Sequence, residues 1–297
     1  MTKEKTRVVI IGCGDIGCRI AKVLSKRDGF EVSGVVRTNS SAKLVEAAGA
    51  EAIVADLDRD TLSVVSGLPL RDAYIFYLSP PPNSGIGDTR VEAFLHAIKP
   101  NNYPTRVVYM STTGVYGNCH GNWVSEQTPP QPLSSQGRRR LAAENTLLSW
   151  CESYCIDSVI LRVPGIYGPG RWPIDKIKRG DPLVHPNDSG YSNRIHAEDL
   201  ASICIAAMER GVPHSIYNVS DGKPSTMTDY FFQVADAFGL KRPPTVSFDQ
   251  AEKILSPMML SYLKESKRVD NRKMLAELGI QLRFGSLDRA LPTETKN

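Results

Sequence analysis

The junction between the first apolar run and the first helical run constrains the fold more than any other feature. The β-branched run Val8–Ile11 leads directly into Gly12-Cys13-Gly14-Asp15-Ile16-Gly17 and then into the amphipathic segment Cys18–Lys26. A G-x-G-x-x-G between a strand and a helix allows a tight turn, backbone approach to a pyrophosphate and close helix packing. We predict a dinucleotide site here, the alternative being a tight turn without a ligand. Its predicted residues are Gly12, Gly14, Asp15, Ile16 and Gly17.

Short β-branched runs alternate with segments of helical period along most of the chain, which predicts an α/β fold. We expect a Rossmann-type doubly wound parallel sheet with a smaller C-terminal substrate lobe. The Rossmann domain is predicted at 1–172 and 194–221, and the lobe at 173–193 and 222–297, where the alternation breaks. The predicted strands are Arg7–Ile11, Val32–Val36, Ala52–Ala55, Ala73–Leu78, Arg106–Ser111, Ser158–Arg162 and Ser215–Val219, and the predicted helices are Gly17–Lys26, Ser40–Ala48, Thr89–Ile98 and Gly137–Glu152.

Composition excludes several classes of protein. The 297 residues carry a formal charge of only +4, so nucleic acid is not an expected partner, and Arg138 and Arg139 are interpreted as a solvated helix face. The start MTKEKTRVVIIG predicts neither a signal peptide nor a membrane anchor. The six cysteines fall within predicted strands and helices without a CxxC pair. We therefore predict reduced thiols, no metal site and a cytoplasmic location.

The residue that ends the second strand selects the nicotinamide cofactor, because an acid holds a ribose 2′-OH whereas an arginine accommodates a 2′-phosphate. Here Arg37 is followed by Thr38 and Ser41. This predicts NADP(H), with NAD(H) as the alternative if Arg37 is only a solvated loop residue. Asp56 is either an acceptor for the adenine amino group or a turn residue at a strand end. Further predicted cofactor contacts are Leu57, Leu78, Ser79 and Ser111.

Three further blocks follow the glycine loop in order, and they are Ser111–Gly117, Leu161–Gly170 and Arg194–Ala201. With them, residues 7–220 resemble the extended short-chain dehydrogenase/reductase family, which includes NAD-dependent sugar epimerases and dehydratases. The segment Gln136–Glu144 makes the chain most similar to an atypical, YeeZ-like branch of that family. The resemblance implies a Rossmann fold, a nicotinamide cofactor and a small-molecule substrate.

The chain departs from this family at the catalytic helix. The family uses a Tyr-x-x-x-Lys pair, in which the lysine and the cofactor lower the tyrosine pKa so that the phenol can transfer a proton. The matching residues are Gln136 and Arg140. An amide cannot transfer a proton at neutral pH, and a guanidinium is effectively never deprotonated. The resemblance leaves Arg140 a role in holding a ribose hydroxyl or phosphate.

Other motif positions retain part of the family pattern. Thr112 matches the Ser or Thr that hydrogen-bonds the substrate hydroxyl. Thr113-Gly114 replaces the acidic pair of sugar dehydratases, which argues against a 4,6-dehydratase, and Gly165 replaces the Asn with which sugar epimerases hold their substrate. Val163 and Pro164 match residues that line the nicotinamide.

Several residues carry two interpretations from sequence. Tyr116 is a candidate acid, but it also matches a structural VYG turn. His196 and Asp199 have catalytic side chains, although in this motif they more often anchor a loop and cap the helix that starts near Asp199. Tyr167 and Arg171 flank a glycine-proline turn and are candidates for contact with an anionic group, although turn packing explains Tyr167 equally well.

Together these features predict an NADP-dependent oxidoreductase or epimerase-like enzyme acting on a small polar metabolite. Thr112, Tyr116 and Arg140 are its candidate catalytic residues. The alternative is a non-catalytic NADP(H)-binding redox sensor or regulator, which loss of both Tyr and Lys would explain. No membrane partner is expected. A homodimer is an expectation of the resemblance, since Thr89–Ile98 and Gly137–Glu152 match the helices that pair subunits in the family.

Overall fold

A computed structural model describes residues 5–59, 61–255, 260 and 263–291 of the chain. Its centre is a seven-stranded sheet in the order β12-β7-β5-β4-β1-β2-β3, in which all neighbouring strands are parallel. The strands are β1 (Thr6–Ile11), β2 (Phe30–Val36), β3 (Glu51–Val54), β4 (Tyr74–Tyr77), β5 (Arg106–Thr112), β6 (Trp123–Val124), β7 (Asp157–Val163), β8 (Gly165–Tyr167), β9 (Leu183–Val184), β10 (Tyr191–Ser192), β11 (Arg194–His196), β12 (Ser215–Asn218), β13 (Ser225–Thr226), β14 (Thr245–Val246) and β15 (Arg268–Val269).

Helices cover both faces of this sheet, because successive strand side chains point to opposite sides. On β1, Val8 and Ile10 join a core with helices α1 and α7, whereas Val9 and Ile11 join a core with α4 and α5. The doubly wound parallel fold is therefore confirmed. The helices are α1 (Asp15–Leu24), α2 (Asn39–Ala47), α3 (Thr61–Gly67), α4 (Thr89–Ala97), α5 (Ser135–Ser153), α6 (Ile174–Arg179), α7 (Ala197–Arg210), α8 (Met227–Ala237) and α9 (Phe248–Ile254), followed by Arg272–Glu277 and Leu287–Ala290.

The strand order reverses between β1 and β4. From β1 the chain builds outward through β2 and β3, and then returns to place β4 on the other side of β1. The loops after β1 and β4 consequently diverge at one edge of the sheet, where open α/β sheets bind their ligands. This crevice lies beside the predicted glycine loop.

The seven predicted strands and four predicted helices are present, with ends that differ from the structure by at most two residues. The crossover helix α3 was not predicted, because its sequence TLSVVSG is short and rich in β-branched and small residues. The helix predicted near Asp199 begins two residues earlier, at Ala197, and His196 caps it.

Two predictions about polar and sulfur side chains are wrong. Arg139 is buried, and its Nη1 donates to the Gly85 carbonyl at 3.1 Å, because α5 turns this residue under the loop after β4. Only Arg138 of the predicted pair is exposed. The cysteines also do not all lie in regular elements, since α5 ends at Ser153 and leaves Cys155 exposed in a turn with a positive φ.

The second half of the chain adds a smaller apolar core outside the sheet. It joins Tyr167, Ile177 and Leu183 to Tyr230 and Phe231 of α8. The C-terminal helix Arg272–Glu277, by contrast, packs on the main sheet through Met274. The predicted division of the chain at residue 222 stays a prediction.

Candidate functional site

The glycine loop has the geometry of a phosphate cradle. Gly12 has a φ of +77°, and a Cβ there would lie 2.8 Å from the Ser79 backbone, so the turn after β1 touches the turn after β4. A Cβ at Gly14 would meet no atom within 4 Å, which leaves open space before the N-terminus of α1. A Cβ at Gly17 would meet Cys13 Sγ at 3.0 Å, so the helix packs closely on the strand. These three environments fit a dinucleotide pyrophosphate.

A cavity of about 240 Å³ opens beside this loop. Residues predicted to bind the cofactor line this cavity on both sides of β2, and Arg37 and Asp56 are among them. The Thr38 side chain caps α2 by accepting from the Ser41 backbone N–H at 3.2 Å, which fixes the loop that follows Arg37. The predicted cofactor residues among the lining are Gly12, Gly14, Arg37, Asp56, Leu57 and Ser79.

Arg90 is a second cation of this cavity, and the sequence interpretation missed it. Its guanidinium makes two hydrogen bonds of 2.6 Å to the Asp58 carboxylate, and both side chains line the cavity. The hydrogen bond from Arg90, with its charge and that of Arg37, holds the pKa of Asp58 below its usual value despite a small opposing effect of burial. Because Arg90 stands at the start of α4, far from the glycine motif, no local pattern marks it.

Asp15 connects the glycine loop to the segment after β8. Its carboxylate accepts from Arg171 Nε at 2.5 Å and from Arg19 Nε at 2.9 Å. Burial alone would raise the pKa of Asp15, but these two arginines hold it below its usual value. Arg19 also pairs with Glu198 at the start of α7. The Asp15 side chain is therefore engaged in ion pairs, and Asp15 is not among the residues that line the cavity.

A second cavity, of about 400 Å³, lies at the ends of β5 and β7 and is open toward the small core. Thr112 and Pro164, both predicted from the motifs, contribute to its wall. Gly165 has no side chain here and is exposed. The other lining residues are Thr113, Gly114, Tyr191, Ser192, Asn193, Arg194, Met227, Tyr230, Phe231, Glu265 and Lys267.

Thr112 is positioned for a hydroxyl contact in this cavity. Its Oγ1 accepts from the Gly114 backbone N–H at 3.1 Å and so caps the short 3-10 turn Thr113–Tyr116. A threonine hydroxyl that accepts a hydrogen bond retains its own proton for donation. The side chain can thus stabilise the turn and still donate to a substrate oxygen.

Two charged residues of the cavity come from the C-terminal part of the chain. Lys267 Nζ donates to Glu265 Oε2 at 2.6 Å and to the Gly117 carbonyl at 2.8 Å, and both side chains are more than nine-tenths buried. No motif identifies these residues in the sequence. The pair is held against the turn that follows Tyr116.

Tyr116 belongs to a buried network instead of the cavity wall. It is 1% exposed, its hydroxyl donates to Asn218 Oδ1 at 2.8 Å, and the Arg162 guanidinium lies 4.8 Å from its ring centre. Burial raises the pKa of the phenol. This geometry favours the structural interpretation of Tyr116 over the acid.

Arg162 in turn pairs with Glu144 of α5, with Nη2 to Oε2 at 2.7 Å, and Ser111 Oγ also donates to Glu144. Ser111, a predicted cofactor contact, is thereby engaged inside the protein and is 3% exposed. The network joins α5 to β5 and β7, the strands that end at the second cavity.

Arg140 lies behind the wall between the two cavities. Its Nη1 donates to the Ser79 carbonyl at 3.2 Å and to the Tyr109 hydroxyl at 3.0 Å, and the residue is 8% exposed. Gln136, one turn earlier on α5, is exposed. The helix thus presents an amide and an internally bonded guanidinium where the family pattern has its phenol and amine.

His196 and Asp199 anchor the C-terminal segment. His196 Nδ1 accepts from the Glu198 backbone N–H at 3.2 Å, and its ring lies 3.8 Å from that of Phe284. Asp199 accepts from the backbone N–H groups of Arg283 and Phe284 at 2.9 and 2.8 Å. Burial lowers the pKa of His196. These contacts favour the anchoring role for both residues.

The remaining predicted residues lie near the cavities without lining them. Ile16 and Val163 are buried in the main core, and Leu78 packs against it. Tyr167 is buried and donates to the Phe284 carbonyl at 3.2 Å. Within the described part of the chain, no three His, Cys, Asp or Glu side chains are grouped to hold a metal ion, and no helix is long and apolar enough to span a membrane.

Solved structures with the same fold include proteins of known and unknown function. A functionally unknown conserved protein from Silicibacter pomeroyi is 30% identical, with a TM-score of 0.81 and 97% coverage of both chains. The UDP-N-acetylglucosamine 4-epimerase from Methanobrevibacter ruminantium is 21% identical, with a TM-score of 0.75 and the same coverage. The UDP-glucuronic acid 4-epimerase from Bacillus cereus, solved with NAD, is 18% identical and has a TM-score of 0.76 over 96% of both chains.

Sequence comparison agrees with these structures. The human dTDP-D-glucose 4,6-dehydratase is 30% identical over 122 residues, which are 38% of this chain and 35% of that protein. The match thus spans about a third of the length of this curated relative. Residues 89–220 match the model of the NAD dependent epimerase/dehydratase family. Residues 89–220 are therefore similar to the NAD dependent epimerase/dehydratase family, and the chain as a whole has the fold of these solved proteins.

Proposed function

We propose that this protein is an NADP(H)-dependent oxidoreductase or epimerase-like enzyme that acts on a small polar metabolite. One observation carries the proposal. The phosphate cradle and its cavity open at the same edge of the sheet as a second cavity that contains Thr112 and Pro164. A cofactor laid across the switch between β1 and β4 would extend from the first cavity to the second.

Residues of the first cavity are suited to binding the cofactor, and residues of the second cavity are suited to binding the substrate. The bound nicotinamide supplies hydride transfer. The N–H groups at the start of α1 would hold the pyrophosphate, and Arg37 would hold a 2′-phosphate as a forked donor. Thr112 would orient a substrate hydroxyl or carbonyl by donating its proton.

Proton transfer must differ from that of the family. Gln136 cannot supply it, Arg140 stays charged, and Tyr116 is bonded to Asn218 inside the protein. Lys267, paired with Glu265 in the wall of the second cavity, is the group that we propose for this exchange. The Lys267 ammonium would donate a proton to the substrate oxygen as the hydride arrives and would regain one from water, while Glu265 and the Gly117 carbonyl hold it in place.

We do not propose the dehydratase reaction of the curated relatives for this chain. The residues that match the family model include the strand that ends at Thr112, but Thr113-Gly114 offers no carboxyl group for eliminating water. Gly165 likewise presents no side chain to a sugar. We therefore propose a substrate other than the nucleotide sugars of those relatives.

The second candidate is a non-catalytic NADP(H)-binding redox sensor or regulator. Arg140 favours it, because its guanidinium is bonded to Ser79 and Tyr109. A protein that only binds the cofactor would need neither a phenol nor an amine on α5. It would also need no group for proton exchange in the second cavity.

Calorimetric titration of the cofactor-stripped protein with NADPH and with NADH tests the binding step. Preference for NADPH supports Arg37 as the 2′-phosphate contact, whereas absence of binding by either cofactor would overturn both candidate functions. A screen of small carbonyl compounds for NADPH oxidation then separates the two candidates. Turnover that Thr112→Val and Lys267→Met each abolish, without loss of NADPH binding, supports the enzyme, and binding without turnover by any compound supports the sensor.

A further inference from the structure

Arg194 is a buried cation in the wall of the second cavity that has no carboxylate at ion-pair distance among the described residues. It is 8% exposed and stands at the start of β11. Isolated charges are rarely buried, because removing them from water costs several kcal/mol. A buried arginine without an ionic partner therefore requires an explanation from its surroundings.

Neutral groups fix the position of this guanidinium. Nη1 donates to Ser225 Oγ at 2.8 Å, and Nη2 donates to Ser192 Oγ at 2.8 Å and to the Thr226 carbonyl at 3.1 Å. The Tyr230 ring lies 4.2 Å below its central carbon. A guanidinium has five N–H donors, so these three bonds hold the group in one orientation and leave donors over.

The other charges around the cavity leave the charge of Arg194 exposed to it. Lys267 and Glu265 neutralise each other at 2.6 Å. Asp221 and Asp229 attract Arg194 from beyond ion-pair distance. Asp229 accepts from Thr226 Oγ1 at 2.6 Å, and Asp221 accepts from the Lys223 backbone N–H at 2.9 Å, so neither carboxylate is hydrogen-bonded to Arg194.

The space beside Arg194 is small and is lined by both apolar and polar side chains. Gly165 lies opposite Arg194 in the β8–β11 pairing, and a Cβ at Gly165 would be 3.9 Å from Arg194 Cγ. The missing side chain leaves the stem of Arg194 at the cavity edge. The cavity of about 400 Å³ would also receive the nicotinamide beside Pro164, which leaves room for a small molecule.

We infer that the second cavity recognises a small substrate by an anionic group, a carboxylate or a phosphate monoester, which Arg194 binds. This inference deepens the proposed function and rests on it. The donors that remain, Nε–H and one N–H of Nη1, would give an anion a charge-assisted hydrogen bond, which is stronger than a bond between neutral groups. The fixed orientation of Arg194 lowers the entropy cost of that contact. Binding would also place a negative charge in direct contact with the guanidinium, where the described residues provide no carboxylate at ion-pair distance.

The test uses the full-length protein without cofactor, titrated calorimetrically with malonate, with inorganic phosphate and with the neutral analogue malonamide at constant ionic strength. We expect saturable binding of at least one anion and none of malonamide. The preferred anion distinguishes a carboxylate substrate from a phosphorylated one. Arg194→Gln should weaken anion binding by about tenfold or more, since a charge-assisted pair is lost.

Arg242→Gln is the matched control, because Arg242 is also in the second half of the chain but pairs with Asp236 on the surface. It should bind the anions as the wild type does. If Arg194→Gln does not fold, Arg194→Lys takes its place, since it keeps the charge and loses the guanidinium donors, and it should weaken binding by a smaller factor.

Equal binding of malonate and malonamide, no binding of either anion, or unchanged affinity in the Arg194 variant overturns the inference. The proposed function fails on a different measurement, the NADPH titration. A protein that binds NADPH but no anion retains the proposed function without this anion site.

Discussion

Replacing Glu144 by Leu is expected to destabilise the fold strongly, because Glu144 is the acceptor in a buried network. The side chains of Glu144 and Arg162 are 1% and 3% exposed, and the pair has hydrogen bonds from Arg162 Nη2 at 2.7 Å and from Nε at 3.2 Å. Ser111 donates to the same carboxylate. The variant leaves a cation and a hydroxyl without an acceptor in the core.

The magnitude follows from the burial of this pair. Removing one partner of a buried ion pair costs about 3–5 kcal/mol, since the remaining charge is uncompensated. A typical domain has a free energy of unfolding of only about 5–15 kcal/mol, so this loss is a large share of it. The double variant Glu144→Leu/Arg162→Met removes both charges, and we expect it to recover most of the loss, as apolar replacements of whole buried pairs do.

Urea denaturation followed by circular dichroism measures these free energies for the wild type, Glu144→Leu, Arg162→Met and the double variant, and equal m-values in the four proteins make them comparable. The reasoning would be refuted by a Glu144→Leu variant within about 1 kcal/mol of the wild type. It would also be refuted by a double variant as unstable as the sum of the two single variants, because the charges would then act independently.

Four further predictions concern the cofactor site and the buried groups around it. Arg37→Asp should weaken NADPH binding by about tenfold to a hundredfold while NADH binding changes little, and equal losses in calorimetry would contradict the 2′-phosphate assignment. Gly14→Val should lower NADPH affinity with little change in melting temperature, because a Cβ at Gly14 would meet no atom of the protein within 4 Å. Gly17→Val should instead lower the melting temperature, because a Cβ at Gly17 would lie 3.0 Å from Cys13 Sγ. Tyr116→Phe should lower the free energy of unfolding by about 1–2 kcal/mol, because it removes the hydroxyl that donates to Asn218 Oδ1. Unchanged stability together with loss of turnover would instead support Tyr116 as the catalytic acid. Burial lowers the pKa of His196, so the folded state favours the neutral ring and loses stability as the pH falls through about 6.5. His196→Asn keeps a capping oxygen but does not titrate, so its free energy of unfolding should fall less steeply with decreasing pH than that of the wild type. Denaturation at several pH values measures this difference, and parallel pH dependences in the two proteins would contradict it.

The main sheet could be predicted from the sequence because its central strands contain continuous apolar runs. Val8–Ile11 and Val107–Met110 are covered on both faces, and such strands stand out from their helices. The strands of the small core could not be predicted, since pairs such as Leu183–Val184 have only two residues and no period. Helix α3 escaped for a related reason, because its helical pattern extends over seven residues.

The site was predictable where backbone geometry determines it and less so where side chains converge from distant segments. Gly12 and Gly14 are recognisable because a turn and an open approach require glycine. Arg194 lies in a recognisable block, yet its burial without an ionic partner is visible only in three dimensions. Lys267 reaches the cavity through a hydrogen bond to Gly117, 150 residues earlier, which no local pattern records.

The order of strands also determines when the chain can complete its fold during synthesis. Helix α1, with Ile20 and Leu24, packs in the same core as Leu200 and Ile203 of α7. After the glycine loop has left the ribosome, well over a hundred further residues must therefore be synthesised before α7 covers the apolar face of α1. Until α7 and β12 emerge, the nascent sheet presents open strand edges and one uncovered side, which is the form most prone to aggregation. We expect this protein to depend on chaperones during translation more than an α-helical protein of equal length.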